Sequence, residues 1–228
     1  MNTIEHDNSI ALHSGEYVEK YMRKSLDRIH NLVELMQIDE NDELVDFACG
    51  DAMLLQAIGD RKGCYHGVDF SRDFISAAQQ RATEGGFKNC HFHCQDIVKF
   101  CAEHPTQFDI ATTLDFSEHV LDDVATDIYT SIRSTLRPGG RLYLHTPNLD
   151  FFLERAKDIG LISQFPEHIA VRNAEETRRI LERAGFERSR INIRHIPHYN
   201  TLKYLHTMRT LPLVGKYFKA RIWIEAIT

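Results

Sequence analysis

Acidic residues and histidines recur in this chain just after short apolar runs, where side chains can meet a ligand. In LVDFACGDAML (44–54) an apolar run ends in Asp46 and turns through Ala48, Cys49, Gly50 and Ala52 into a helical pattern. Small residues in such a turn let backbone N–H groups come close to a bound molecule. Asp69, 23 residues after Asp46, ends the run in GVDFS, where a carboxylate can accept both hydroxyls of a ribose. Asp96 in CQDI follows a third run. Beyond a fourth lies Asp115-x-x-Glu118-His119, whose i, i+3, i+4 spacing would set all three side chains on one face of a helical turn, a grouping suited to acid–base work. His145, in HTPN, ends a fifth run and reads either as a packed core residue or as a substrate contact or base.

The elements that must position these groups follow from periodicity. Strand candidates are 44–49, 65–68, 90–94, 108–113, 140–145, 190–196 and 221–227, mostly bounded by Gly, Asp, Asn or Pro. Helical patterns lie near 52–60, 72–84, 97–103, 122–136, 150–158 and 174–184, and a longer amphipathic helix is predicted over 15–37. Alternation of the two implies βαβ units in an α/β fold: a doubly wound, mostly parallel sheet of seven strands with helices on both faces. Ligands of such sheets bind beyond the carboxyl ends of the strands, where the acids above fall.

Composition narrows the class. With 43% hydrophobic and 26% charged residues over 228 positions, the chain has the balance of a soluble globular protein, not of a disordered, collagenous or coiled-coil one. It contains no apolar run long enough for a membrane helix, and its opening MNTIEHDNSI is too polar and acidic for a targeting peptide, so a cytoplasmic location is expected. Five cysteines without C-x-x-C spacing argue against a disulfide framework or a cysteine zinc site. Residues 1–132 hold 10 Lys+Arg against 24 Asp+Glu, and residues 133–228 hold 17 against 9. Two solvated faces of one domain explain this; an anionic partner on the C-terminal half is the alternative. Without repeats or linkers, 1–228 reads as a single domain: a helical segment over 1–40, a core over 41–228, and a helical insertion at about 197–219.

Three acidic strand ends in successive units resemble the class I S-adenosylmethionine-dependent methyltransferases. Asp46-x-Ala48-x-Gly50-x-Ala52 stands where that family has its acidic glycine-rich loop, Asp69 matches its ribose-binding acid, and Asp96 the acid near the adenine amino group. FDIATTLDFSEHV (108–120), LRPGGRLYLHTPN (136–148) and NAEETRRILERAGF (173–186) extend the resemblance over roughly residues 40–195. It implies a Rossmann-like fold, S-adenosylmethionine as cofactor, and cofactor contacts from Asp46, Ala48, Cys49, Gly50, Asp69, Phe70, Asp96, Ile97 and Leu114. The departure is that Ala48 and Ala52 stand where the family usually has glycine. Their methyl groups would crowd the cofactor or sit at positive φ, where alanine is strained.

Some resemblance to the ubiquinone-biosynthesis O-methyltransferase branch and to small-RNA 3′-terminal 2′-O-methyltransferases implies a divalent metal. Asp115, Glu118 and His119, with His168 in FPEHIAVRNAEE as the later histidine, match the metal-binding positions of those branches with one Asp-for-Glu change. His119, Glu118 and His145 are the expected catalytic groups. Otherwise Glu118 and His119 only cap the following helix. Residues 197–219 either pack on the core or lid the acceptor pocket, with Tyr199, Tyr204 and His206 lining it and Tyr17 or Tyr21 closing it. The expected reaction is methyl transfer to an O or N nucleophile of a small molecule, with a homodimer as the expected assembly and no membrane span. Two other readings stand beside it. An RNA 3′-end methyltransferase would require Arg172, Arg178, Arg179, Arg183, Arg188, Arg190 and Arg194 to form a basic stripe. A regulatory protein would have lost catalysis through Ala48 and Ala52.

Overall fold

The computed structural model describes residues 26–59, 61 and 63–228. Seven strands form one sheet: β1 Glu43–Phe47, β2 Cys64–Asp69, β3 Cys90–Cys94, β4 Phe108–Leu114, β5 Leu136–Pro147, β6 Ile191–Ile196 and β7 Arg221–Ile227, in the order β3-β2-β1-β4-β5-β7-β6. β1, β2 and β3 pair in parallel, while β7 runs antiparallel to both β5 and β6. The helices are α1 Asp27–Val33, α2 Met53–Ile58, α3 Arg72–Glu84, α4 Ile97–Glu103, α5 Asp122–Thr135, α6 Phe152–Asp158 and α7 Ala174–Arg183. This is the mostly parallel α/β sheet expected from the alternation of patterns. The predicted helix over 15–37 is helical over α1; the part before residue 26, with Tyr17 and Tyr21, lies outside the described residues. Among the described residues no helix is long and apolar enough to cross a membrane.

Two compact units make up the chain. One ends at Thr112 and takes up Ser134–Gly140 again; the other comprises Thr113–Arg133 and Arg141–Thr228. The first is built on β1, whose Leu44, Val45 and Phe47 are buried as the continuous apolar run of a central parallel strand requires. α3 starts at Ser71, whose hydroxyl accepts from Phe74 N, and buries Phe74, Ile75, Ala78 and Ala82 at helical spacing. In the second unit, α7 opens with a capping box in which Asn173 accepts from Glu176 N and the Glu176 carboxylate accepts from Asn173 N. Its core is the β5–β7 pair, where Leu142, Leu144, Ile222 and Ile224 are fully buried and Tyr143 stacks on Trp223 at 5.4 Å. The 197–219 stretch forms two 3₁₀ helical segments, Thr201–Thr210 and Gly215–Phe218.

Candidate functional site

In the first unit β1 delivers Asp46 into the core. Its carboxylate accepts from the Tyr65 hydroxyl at 2.8 Å and the Thr112 hydroxyl at 2.5 Å, so it ties β1 to β2 and β4. Burial raises its pKa to about 6 despite those two bonds. The chain then turns through three residues in the left-handed region: Ala48 at φ 54°, Gly50 at φ 53° and Ala52 at φ 57°. The turn is held from three sides. Cys49 N donates to Val68 O at 3.1 Å, Gly50 N donates to Asp69 Oδ2 at 3.1 Å, and Arg81 pairs with the buried Asp51 while its Nε donates to Asp51 O at 2.7 Å. These anchors over-determine the backbone, which is how alanine keeps a conformation that glycine adopts at no cost.

Asp69 is buried at the end of β2; its Oδ1 accepts from Ser71 N at 2.9 Å and its Oδ2 from Gly50 N. Asp96 is exposed and caps α4 by accepting from Lys99 N. Phe70 and Ile97, each next to an acid, are half-buried. The first unit thus carries two acids at strand ends and a strained turn of small residues between β1 and α2, a donor set that suits a nucleoside with a charged tail.

In the second unit the predicted site residues divide into two groups. Asp115, at φ 55°, places Oδ1 2.9 Å from His145 Nδ1 and 3.2 Å from Arg221 Nη1. His145 has no exposed surface, and its Nε2 lies 3.1 Å from the Tyr199 hydroxyl. Arg221 lies over the Tyr199 ring at 4.6 Å. The second group is Glu118, His119 and His168, each of which offers a ligand atom within 4.8 Å of the others. His119 Nδ1 donates to Glu167 O at 2.8 Å; a carbonyl only accepts, so the hydrogen is on Nδ1. His168 Nδ1 is buried without a hydrogen-bond partner. Burial pushes Glu118 up to about 8, with the charge of Asp115 adding to it, and burial beside His119 brings His168 down to about 4.

Of the four residues expected from sequence to hold a metal, Glu118, His119 and His168 come together. Asp115 has the shorter arm, and its carboxylate is drawn to His145 and Arg221, which leaves three residues together. Sequence reasoning missed Arg172 as a structural residue. It is buried, and its guanidinium donates to Ser117 O at 2.7 Å, to Val120 O at 2.6 Å and to Asp122 Oδ1 at 2.8 Å, clamping the segment that carries Glu118 and His119. It cannot belong to an exposed basic stripe. Arg178, Arg183 and Arg188 are likewise paired, with Glu175, Asp123, and Glu175 and Glu182. Of the predicted lid residues, Tyr199 joins His145 while Tyr204 is exposed and His206 lies among the 3₁₀ turns.

Acid-terminated parallel strands, the left-handed turn after β1 and this strand order make up the Rossmann-like fold of the class I methyltransferases. The chain belongs to the family described as "Methyltransferase domain", whose model matches residues 15–189. Among curated relatives, a ubiquinone biosynthesis O-methyltransferase of Idiomarina loihiensis is 30% identical over 106 residues, covering 46% of this chain and 42% of that protein. The one from Aromatoleum aromaticum is 29% identical over 126 residues, covering 53% of each. The matches span about half the length of these relatives. A SAM-dependent methyltransferase of Archaeoglobus fulgidus shares the fold at a TM-score of 0.67 and 15% identity, over 92% of this chain and 97% of that one. A phosphoethanolamine N-methyltransferase of Haemonchus contortus does so at 0.61 and 15%, over 86% and 51%.

Proposed function

We propose that this protein transfers a methyl group from S-adenosylmethionine to an oxygen or nitrogen of a small molecule. The observation that carries this reading is the arrangement around Gly50: the buried Asp69 carboxylate at the end of β2 accepts from Gly50 N and Ser71 N, next to a turn whose backbone is fixed in the left-handed region. Asp69 would accept the ribose hydroxyls, and Asp96, with Phe70 and Ile97, would hold the adenine. The turn Ala48–Ala52 would face the methionine part. Asp46 acts from beneath as a positioning residue. When bound, the cofactor supplies a methyl group already activated by a sulfonium, so the chain has only to orient an acceptor, exclude water and take up a proton.

For the proton, Asp115 orients His145 through Nδ1 and leaves Nε2 to receive the hydrogen of Tyr199. Tyr199 is the member of this relay that can meet an acceptor, because His145 is buried. Calorimetry with S-adenosylhomocysteine tests the cofactor site. Asp69→Ala should weaken binding by about 1.5–3 kcal/mol for each charge-assisted hydrogen bond lost. A melting curve of the unliganded variant separates this from the cost of freeing the Gly50 and Ser71 amides. Unchanged affinity would overturn the assignment. A panel of hydroxylated and amino metabolites, assayed with labelled methyl donor beside an RNA oligonucleotide, then identifies the acceptor class. The names of the curated relatives favour an oxygen.

A second reading adds a divalent ion at Glu118, His119 and His168, favoured by the orphaned Nδ1 of His168 and the Glu167 carbonyl that orients His119. Such a mixed O/N set suits Mn, Fe, Co, Ni or Zn, and the ion would lower the pKa of an acceptor hydroxyl. Chelation should then abolish turnover while leaving S-adenosylhomocysteine affinity within about two-fold. Full activity in metal-free protein would exclude the ion and leave the Asp115–His145–Tyr199 relay as the base.

A further inference from the structure

Parity brings a second donor cluster together on the outer strands of the first unit. Cys64 and His66 are two apart on β2 and share one face. His66 is paired in register with His91 on β3, and His93 follows two residues later on that strand. We propose that Cys64, His66 and His91 form a binding site for a divalent transition-metal ion of the zinc class at this sheet edge.

The geometry is that of a tetrahedral S/N site before the ion enters. Each of the three residues offers a donor atom within 4.8 Å of the others, and Cys64 Sγ lies 3.5 Å from His66 Nε2. Zn–S and Zn–N bonds of about 2.3 and 2.05 Å at a tetrahedral angle set sulfur and nitrogen about 3.5 Å apart. The Glu43 carboxylate lies 3.9 Å from the same Nε2. On the other side of the ring, His66 Nδ1 meets His93 Nε2 at 3.2 Å. With His66 Nδ1 as the donor in that contact, Nε2 keeps its lone pair toward Cys64, the arrangement that the outer partner of a ligating histidine provides.

The surroundings suit an ion too. His66 lies edge-on to Phe108 at 5.2 Å, and His93 against Phe100 at 4.9 Å, so the inner wall is aromatic. His91 is exposed and β3 is an edge strand, which leaves a way in from solvent. Binding converts the Cys64 thiol to a thiolate on the metal and releases one proton to solvent. Since the donors come from two strands, a search for C-x-x-C spacing does not find them.

Cobalt(II) titration of the reduced, chelator-treated full-length protein tests this. A thiolate-to-cobalt charge-transfer band should grow to one equivalent and be displaced by zinc. An ion at Glu118, His119 and His168 is silent in that band because the cluster has no sulfur. Cys64→Ser should abolish the band, and His91→Ala, at an exposed position that leaves the fold undisturbed, should weaken cobalt affinity by about ten-fold or more. Cys94→Ser should keep both band and affinity. A band that is absent at one equivalent, that survives Cys64→Ser, or that is lost with Cys94→Ser would overturn the proposal and leave Cys64 and His66 as a thiol–imidazole hydrogen bond.

Discussion

Asp115 and His145 are joined twice. The carboxylate Oδ1 lies 2.9 Å from the imidazole Nδ1, and Asp115 N donates to His145 O at 2.8 Å. The backbone bond sets the distance between the strand ends and the side-chain contact sets the imidazole's orientation. A left-handed residue between β4 and the Ser117–His119 turn is what lets Asp115 do both. Aspartate is one of the few non-glycine residues that tolerates it.

The relay proposed for this pair predicts that Asp115→Asn, which keeps the left-handed backbone, lowers kcat by about 10²-fold or more. The amide can present its NH₂ to Nδ1 and turn the imidazole to the wrong tautomer. Tyr199→Phe should give a similar loss in kcat while leaving S-adenosylhomocysteine affinity unchanged. Methyl-transfer kinetics with both variants check this; a loss confined to KM would mean that Tyr199 only lines the pocket.

The pKa of Asp46 predicts a slope in stability. Its folded value of about 6 lies above the ordinary 3.8, so the folded protein binds this proton more tightly than the unfolded chain does. Its contribution is therefore fully present below 3.8 and is lost as pH rises through about 6. Above that, keeping the buried carboxylate ionised costs on the order of 3 kcal/mol. Asp46→Asn retains an acceptor for Tyr65 and should stabilise the protein at neutral pH by on the order of 1–3 kcal/mol, with this part of the slope gone. Urea denaturation at several pH values measures it, and a variant with the wild-type slope would refute it.

Ala48 and Ala52 hold left-handed conformations that cost alanine about 1 kcal/mol. Glycine removes that strain and gives back about 0.4–1 kcal/mol through its freer unfolded chain. Ala48→Gly should therefore be neutral or stabilising by a few tenths of a kcal/mol, without weakening S-adenosylhomocysteine binding. Ala52→Val should destabilise clearly, since the site is buried and a β-branched residue resists positive φ. Thermal melts of the two variants decide the matter; a destabilising Ala48→Gly would mean that the alanine methyl group makes a packing contact worth more than the strain.

The buried Arg172 holds two carbonyls and one carboxylate of the segment 117–122. Arg172→Ala leaves both carbonyls without a donor and should cost about 2–4 kcal/mol. Arg172→Lys should recover only part of it, because one ammonium cannot span three acceptors that a planar fork reaches. Hydrogen exchange should speed up at residues 117–120 before the rest of the fold. Arg172→Ala with wild-type stability would show that water replaces the guanidinium at no cost.

How far this could be read in the sequence depended on which groups the chain places by periodicity. Helix α3 and strands β3 and β7 match their predicted limits because alternation of apolar and polar residues, together with the Ser71 cap, is local information. The acids at the ends of β1 and β2 were visible for the same reason. The contacts of Asp115 and Arg172 were not. Asp115 differs from Glu118 by one methylene, and which neighbour it reaches depends on a left-handed backbone and on Arg221 from 106 residues away. Arg172 was counted among surface charges because six other arginines follow it; only the carbonyls of a tight turn, brought to it by folding, draw it inward.

Glu118 supplies a pH-linked test of the metal reading. Burial, and then the charge of Asp115, raise its pKa to about 8, so at neutral pH the metal-free carboxyl is mostly protonated, with Thr146 Oγ1 3.1 Å from its Oε2. An ion at Glu118, His119 and His168 binds the ionised form. Uptake must therefore expel a proton, and affinity should climb as pH rises toward about 8 and then level off. His168, already neutral because burial and His119 bring it down to about 4, should add no slope in this range. Manganese titrations in two buffers of different ionisation enthalpy, carried out on Cys64→Ser protein to remove the other cluster, count the proton directly. Close to one proton should be released per ion at pH 6.5, and Glu118→Gln should bring both the release and the pH slope to zero with a weaker affinity. Binding without proton release would mean that the ion leaves Glu118 protonated, and the three-residue site would be wrong.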